Sequence, residues 1–188
     1  MTPTASSGPT AGDADATDSV QAVAVGELDG RPVAVSGAYD GTVRVWDLAR
    51  GSPVGQPLTG HTSEVRAVAV GTLDGRPIAV SGDNHRTVRV WDLARGTPVG
   101  QPLTGHTSWV NAAAVGELDG RPIAVTGDDS TVLVWELSDR RLTTTIAFGA
   151  PIYALAFVER RGVVIGTSRG LMLLELAPAW RPASDTAC

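Results

Sequence analysis

Lysine is missing from this chain of 188 residues, and all 15 of its basic side chains are arginine. With abundant alanine, glycine and valine, that reads as codon bias and carries no mechanism. Cysteine occurs once, at Cys188, so no intrachain disulfide can form and nothing points to an oxidising compartment. A prenylation box needs three residues after its cysteine, which Cys188 does not have. No basic residue stands before Arg31, and no apolar run approaches the roughly 18 residues of a spanning helix, so neither a signal peptide nor a membrane anchor is expected. Basic charge is also short: the formal net charge of -5 gives no general attraction to nucleic acid or to an anionic membrane. Hydrophobic residues at 43% and charged residues at 19% are near the globular average, which excludes wholesale disorder and a fibrous repeat. A soluble cytoplasmic protein is the expectation.

What the chain has in excess is repetition. Residues 20–64 and 65–109 align without a gap at a period of 45, with 36 identical positions. Internal repeats decide the architecture before any local reading does. A third copy, 110–150, loses one residue before Asp129 and decays after Leu137; a fourth, 151–177, is much degraded. Residues 1–19, rich in Thr, Ser, Ala, Gly, Pro and Asp, are expected to be a disordered tail, and 178–188 a C-terminal tail in which Trp180 tucks back or hangs loose.

Within one copy the apolar period is two. Val20 to Val25 leads into a turn containing Asp29-Gly30, and Pro32 to Ser36 follows, which is a hairpin signal. Thr42 to Asp47 reads as a third strand. A weaker fourth, around Val54 to Leu58, is confined to the sheet edge by Pro53 and Pro57. One such sheet cannot bury both faces, but several stacked about an axis can.

Gly60-His61 and Gly105-His106 open repeats, Trp46-Asp47 and Trp91-Asp92 close third strands, and Trp135-Glu136 is a softened version. With Ser-Gly, Asp-Gly-Thr-Val and the period of 45, residues 20 to 176 resemble the WD-repeat β-propeller family. The resemblance implies an all-β fold, a propeller or open propeller arc of about four four-stranded antiparallel blades, the last degenerate. It also implies a structural tetrad in which His, Ser or Thr, Asp and Trp form a hydrogen-bonded chain. Carried over by position, the third repeat offers His106, Thr126, Asp129 and Trp135. The second offers His61, Ser81 and Trp91, with His85 at the Asp position. The first offers Ser36, Asp40 and Trp46, with Ala16 where the His would stand, and in the fourth Leu174 replaces the Trp.

Ser, His and Asp together also suggest a hydrolase, with His106, Thr126 and Asp129 as its parts. Recurrence of the trio in phase with the repeats speaks against it, as does the lack of a Gly-x-Ser-x-Gly elbow, a His-Glu-x-x-His run, a phosphate-binding Gly-Lys-Ser/Thr or a cysteine pair. The expectation is a non-catalytic protein without metal or cofactor.

Function then rests on the surface. The first two copies differ mainly at Gln21/Arg66, Glu64/Trp109 and the block 38–41 against 83–86, which an up-and-down sheet places at one end. The opposite end, 27–32 and 48–56, barely differs. Turns that drift where sterics allow would give the same pattern, but loops on a rigid scaffold are where binding sites are built. On that reading Glu64, Arg66, Asn84, Arg86, Trp109 and Asn111, backed by Tyr39 and Asp128, contact a protein or peptide, not nucleic acid or membrane. His85 reads as an inert surface residue, and Arg140-Arg141 and Arg160-Arg161 as solvated turns. Four blades are few for the family. A poorly closed ring, two chains joined into an eight-bladed ring, and a relic or subunit of a larger signalling protein all remain open.

Overall fold

The computed structural model describes residues 19–158 and 161–176. The tail assignments at 1–18 and 178–188, Ala16, Arg160 and Trp180 lie outside the described residues. Among the described residues every regular element is a strand. The first sheet holds β1 (Val20–Leu28), β2 (Arg31–Ala38), β3 (Val43–Asp47) and β4 (Ser52–Pro53). The second holds β5 (Val65–Leu73), β6 (Arg76–Asp83), β7 (Thr87–Asp92) and β8 (Thr97–Pro98), with β9 (Leu103–Thr104) also paired to β7. The third is β10 (Ala112–Leu118), β11 (Arg121–Gly127), β12 (Thr131–Glu136) and β13 (Arg141–Ala147). The fourth is β14 (Ile152–Val158), β15 (Gly162–Thr167) and β16 (Gly170–Glu175), three strands among the described residues. All pairings are antiparallel, and the four sheets form the blades of a β-propeller.

The innermost hairpins close on two-residue turns in which both residues are left-handed: Asp29 and Gly30 at φ 52° and 72°, repeated at Asp74-Gly75 and Asp119-Gly120. That is the type I′ geometry whose twist matches a right-handed hairpin, and Asp-Gly tolerates it. The outer strand departs from the expected run of Val54 to Leu58. Only Ser52–Pro53 pairs as a strand; beyond it Val54 and Leu58 donate to Val45 and Val43 (both 2.8 Å), with the chain bulging between them at Gly55 (φ 71°). Proline at 53 and 57 removes the N–H groups a continuous edge would need. The third blade lacks those prolines, and its outer strand β13 runs seven residues.

Blades pack in sequence, and the first strands of neighbours touch, β1 on β5, β5 on β10 and β10 on β14, so they sit innermost. Three cores fill the three gaps. The first joins Leu28, Val33, Val35 and Val45 of blade one to Val65, Ala79 and Trp91 of blade two. The second joins Ile78, Val80 and Val90 to Val110, Ala124 and Trp135, and the third joins Ile123, Val125 and Val134 to Ile152, Val163 and Ile165. Close approach depends on glycine. A Cβ at Gly26, Gly71 or Gly116 would overlap Val70, Val115 or Phe157 of the next blade, and one at Gly37, Gly82 or Gly127 would overlap Val65, Val110 or Ile152. Each blade therefore carries sockets on one face and knobs on the other.

Candidate functional site

The hydrogen-bonded chains sit between blades, at the top of those cores. In the third blade Trp135 Nε1 donates to Thr126 Oγ1 (2.8 Å), and Thr126 Oγ1 lies 2.6 Å from His106 Nε2. His106 Nδ1 lies 3.0 Å from Asp128 Oδ2. Trp has only a proton to give, so the Thr126 hydroxyl turns its own proton to Nε2, which leaves Nδ1–H to donate to the carboxylate. Burial pushes the His106 imidazole below its ordinary value, against the pull of Asp128, in keeping with a neutral ring. Burial opposes charge on Asp128 too, but donors from Ser130, His106 and Thr131 outweigh it and hold the carboxyl at about 2. Asp128 Oδ1 accepts from the backbone N–H groups of Ser130 (2.9 Å) and Thr131 (2.7 Å), so one side chain both anchors the His and shapes the turn.

The second blade repeats this chain: Trp91 Nε1 to Ser81 Oγ (2.7 Å), Ser81 Oγ to His61 Nε2 (2.6 Å), His61 Nδ1 to Asp83 Oδ2 (2.8 Å). Thr87 N caps Asp83 Oδ1 at 2.8 Å, and the Asp83 pKa, which burial would raise, is brought below its ordinary value by His61 and Thr87.

Three sequence assignments are thereby corrected. The acid of the third chain is Asp128, not Asp129; that of the second is Asp83, and His85 does not take its place. In the first blade Ala38 stands at the corresponding position. Asp40, two residues on, instead accepts from Thr42 N (2.8 Å) and Thr42 Oγ1 (2.7 Å), while Trp46 Nε1 still donates to Ser36 Oγ (2.9 Å). The acid must immediately follow the strand-two Gly, because only there can its two oxygens reach the His and the turn amides together. Asp128 is fully buried and so leaves the list of contact residues. Asp129 points to the rim, accepting from Ser108 Oγ and from Asn111 Nδ2 (2.9 Å). The trio His106, Thr126 and Asp129 is therefore not assembled, and Thr126 Oγ1, buried and hydrogen-bonded on both sides, offers no free nucleophile. Among the described residues no group of three or more His, Cys, Asp or Glu could hold a metal ion.

The end where the copies agree is held by a clamp in which the recurring Arg31, Arg76 and Arg121, read from sequence as hydrogen-bonding across blades, instead meet an acid of their own blade. Asp47, after Trp46, is buried. It accepts from Ala49 N and Arg50 N (both 2.9 Å), and its Oδ2 lies 2.6 Å from Arg50 Nη1 and 4.0 Å from Arg31 Nη1. Asp92 does the same with Arg95 (2.7 Å) and Arg76 (4.0 Å), and Glu136 takes Arg121 (3.6 Å) and Arg141 (3.8 Å). Recurrence of Arg-Pro and Ala-Arg-Gly around each Trp-Asp was the available signal.

At the other end, backbone bonds draw the two divergent loops together: Asn84 N to Glu64 O (3.1 Å), Val110 N to Asp83 O (3.2 Å) and Asn111 N to Gly127 O (2.9 Å). Glu64 is half-buried, accepting from Asn84 Nδ2 (2.7 Å) and facing Arg66 Nη1 (3.6 Å). The Arg66 guanidinium lies 5.4 Å from the centre of the Trp109 ring, which stays 51% exposed, so the indole leans on the neighbouring blade and still shows half its surface. Arg86 (φ 67°) and Tyr39 are exposed. His85 Nδ1 lies 3.0 Å from Thr62 Oγ1 at the exposed edge. Arg140 is half-buried against Gly100, not solvated as its sequence suggested.

Sheets that stack as blades, sealed by Trp-Ser/Thr-His-Asp chains, define a repeat β-propeller. A family model for the WD domain, G-beta repeat, matches residues 15–47, 51–92 and 96–136, more than half of the chain, and the chain belongs to this family. Comparison with curated proteins gives no match.

Proposed function

We propose that the divergent rim is a docking face for a protein or peptide and that the protein acts as a non-catalytic interaction scaffold. The observation that carries this is Trp109: an indole half in water, seated on Arg66, at the position where the sister repeat has Glu64. Trp and Arg are the side chains most often found at the energetic centre of interfaces. The opposite rim, by contrast, has its likeness between copies explained by buried Asp–Arg clamps, which leave it no need of a ligand. Glu64, Asn84, Arg86, Asn111 and Tyr39 lie in the loops of the same rim and add donors and acceptors of both signs. Sheets held by three cores keep these groups at fixed separations, so little ordering entropy opposes binding.

The test is selection of peptides from a random displayed library on the immobilised protein, followed by titration. Binding should weaken at least tenfold in Trp109→Ala and in Arg66→Ala, with the circular-dichroism melt unmoved, since a half-exposed rim side chain carries little of the core. Peptides that bind both variants as tightly as the parent, or a melt that falls with the affinity, would make the ring structural and remove the proposal.

A further inference from the structure

Each gap between blades is filled by knobs from the following blade and sockets from the preceding one, yet the two end faces of the chain are left with their halves of a fourth gap. Val65, Val110 and Ile152, the knobs beside Gly37, Gly82 and Gly127, are all 0% exposed, whereas Val20, the same position in the first blade, is 53% exposed. Val23 and Val25 beside it are 60% and 71% exposed, and Trp46 on the same face is half-buried where Trp91 and Trp135 are buried. The last blade mirrors this. Gly166 stands where Gly37, Gly82 and Gly127 stand, opposite Ala154, but the nearest atoms to a Cβ there are Ala154 and Leu171 of its own sheet, 3.3 Å away or more. Ala154, Ala156, Leu171 and Leu173 share that face and are exposed. No extensive packing joins blade four to blade one among the described residues.

We infer that these faces meet between two copies of the chain, head to tail, so that Val20 of each seats on Gly166 of the other and a two-fold axis closes eight blades. The two faces are complementary in the same register that builds the three internal gaps, and no other surface among the described residues repeats that chemistry. Residues 1–18 contain one large apolar side chain, Met1, and 177–188 one large aromatic, Trp180, so neither segment carries the Val-Val-Trp set of such a face. Propellers close at about four to eight blades, and two chains of four is the multiple that covers every end and stays within that range. A contact between unlike faces forms a closed body only if the rotation completes a circle. One departure is local: Val158 replaces the second socket glycine of Gly26, Gly71 and Gly116, so Gly166 is the socket that remains.

The inference concerns the end faces, not the rim, and its test is independent of Trp109. Size-exclusion chromatography with light scattering on the full chain should give the mass of two chains. Val20→Asp/Val23→Asp and, separately, Gly166→Arg should each give one chain with an unchanged far-ultraviolet spectrum, because Val20 and Val23 are exposed and a Cβ at Gly166 meets only its own sheet. Mixing the two variants should restore the dimer, since one of its two contacts then joins two unaltered faces. A single-chain mass for the parent across the micromolar range, a ladder of sizes, or a dimer that survives both substitutions would overturn it. Dissociation in only one of the two variants would do so as well, by showing contact between like faces.

Discussion

Asp128 and Asp129 are neighbours with opposite employment. One is buried beneath donors from His106, Ser130 and Thr131 that hold its carboxyl at about 2; the other meets Ser108 and Asn111 in water. The difference makes acid stability a test of the tetrad. A carboxyl at 3.8 when unfolded and about 2 when folded contributes up to about 2 kcal/mol at neutral pH, a contribution present above 3.8 and lost as the pH falls toward 2. His106 acts in the same direction: its folded value lies below 6.5, so its share is full above 6.5 and declines as the pH drops beneath it. Urea unfolding measured from pH 8 to pH 2 should therefore show stability falling from below 6.5, and falling again below 4. Asp128→Asn should cost about 2 kcal/mol at pH 7 and shrink the low-pH step, while Asp129→Asn stays within about 0.5 kcal/mol. The reverse ranking would return the tetrad to Asp129. That pair was misread from sequence for a definite reason. Reading the acid from the Asp40 column, with the third copy's one-residue gap placed before Asp129, took the first blade's substitute as the pattern, whereas the hydrogen bonds require the residue that follows the strand-two Gly.

At the scale of elements, the strands that face two neighbours were legible and the edges were not. Asp-Gly turns, the valines of the second and third strands and the Trp on the third strand are local demands, met by the same residue types in the first three copies. The outer strand is set by what its prolines forbid, and Arg140 by a glycine in the preceding blade, so neither declares itself in its own stretch of sequence. The glycine sockets lie between these cases: their columns are visible, but that their cause is the next blade's valine is not. Their energetic role can be measured. Gly82→Val drives a Cβ and its two methyl groups into Val110 between blades two and three and should cost about 3 kcal/mol or prevent folding, since overpacking a filled core displaces backbone. Gly166→Val, at the open face, should leave the urea midpoint of the dissociated chain within about 0.5 kcal/mol of the parent. Equal losses at the two positions would mean that size, not the neighbouring blade, is what glycine answers to.

For the whole molecule, four blades with three cores leave the chain with one interface fewer than a ring has blades. The sequence showed the shortfall as a count; it could not show that the two ends are complementary, because Val20 and Val65 read alike and only packing tells the exposed copy from the buried one. The tetrads sharpen this, for the two complete chains sit at interior gaps, while the Trp46–Ser36 pair lies on the free face. If that face is covered by a second copy, the folded state contains two chains and its stability must depend on concentration. Unfolding a dimer of roughly 150 ordered residues per chain carries an entropy that converts each tenfold dilution into a fall of about 2 °C in Tm. Scans from 1 to 100 micromolar should therefore span about 4 °C in the parent and be flat in Val20→Asp/Val23→Asp, with Trp109→Ala following the parent. A parent melt that ignores concentration while light scattering reports one chain would place the end faces in solvent, and the protein would then fold on three cores alone.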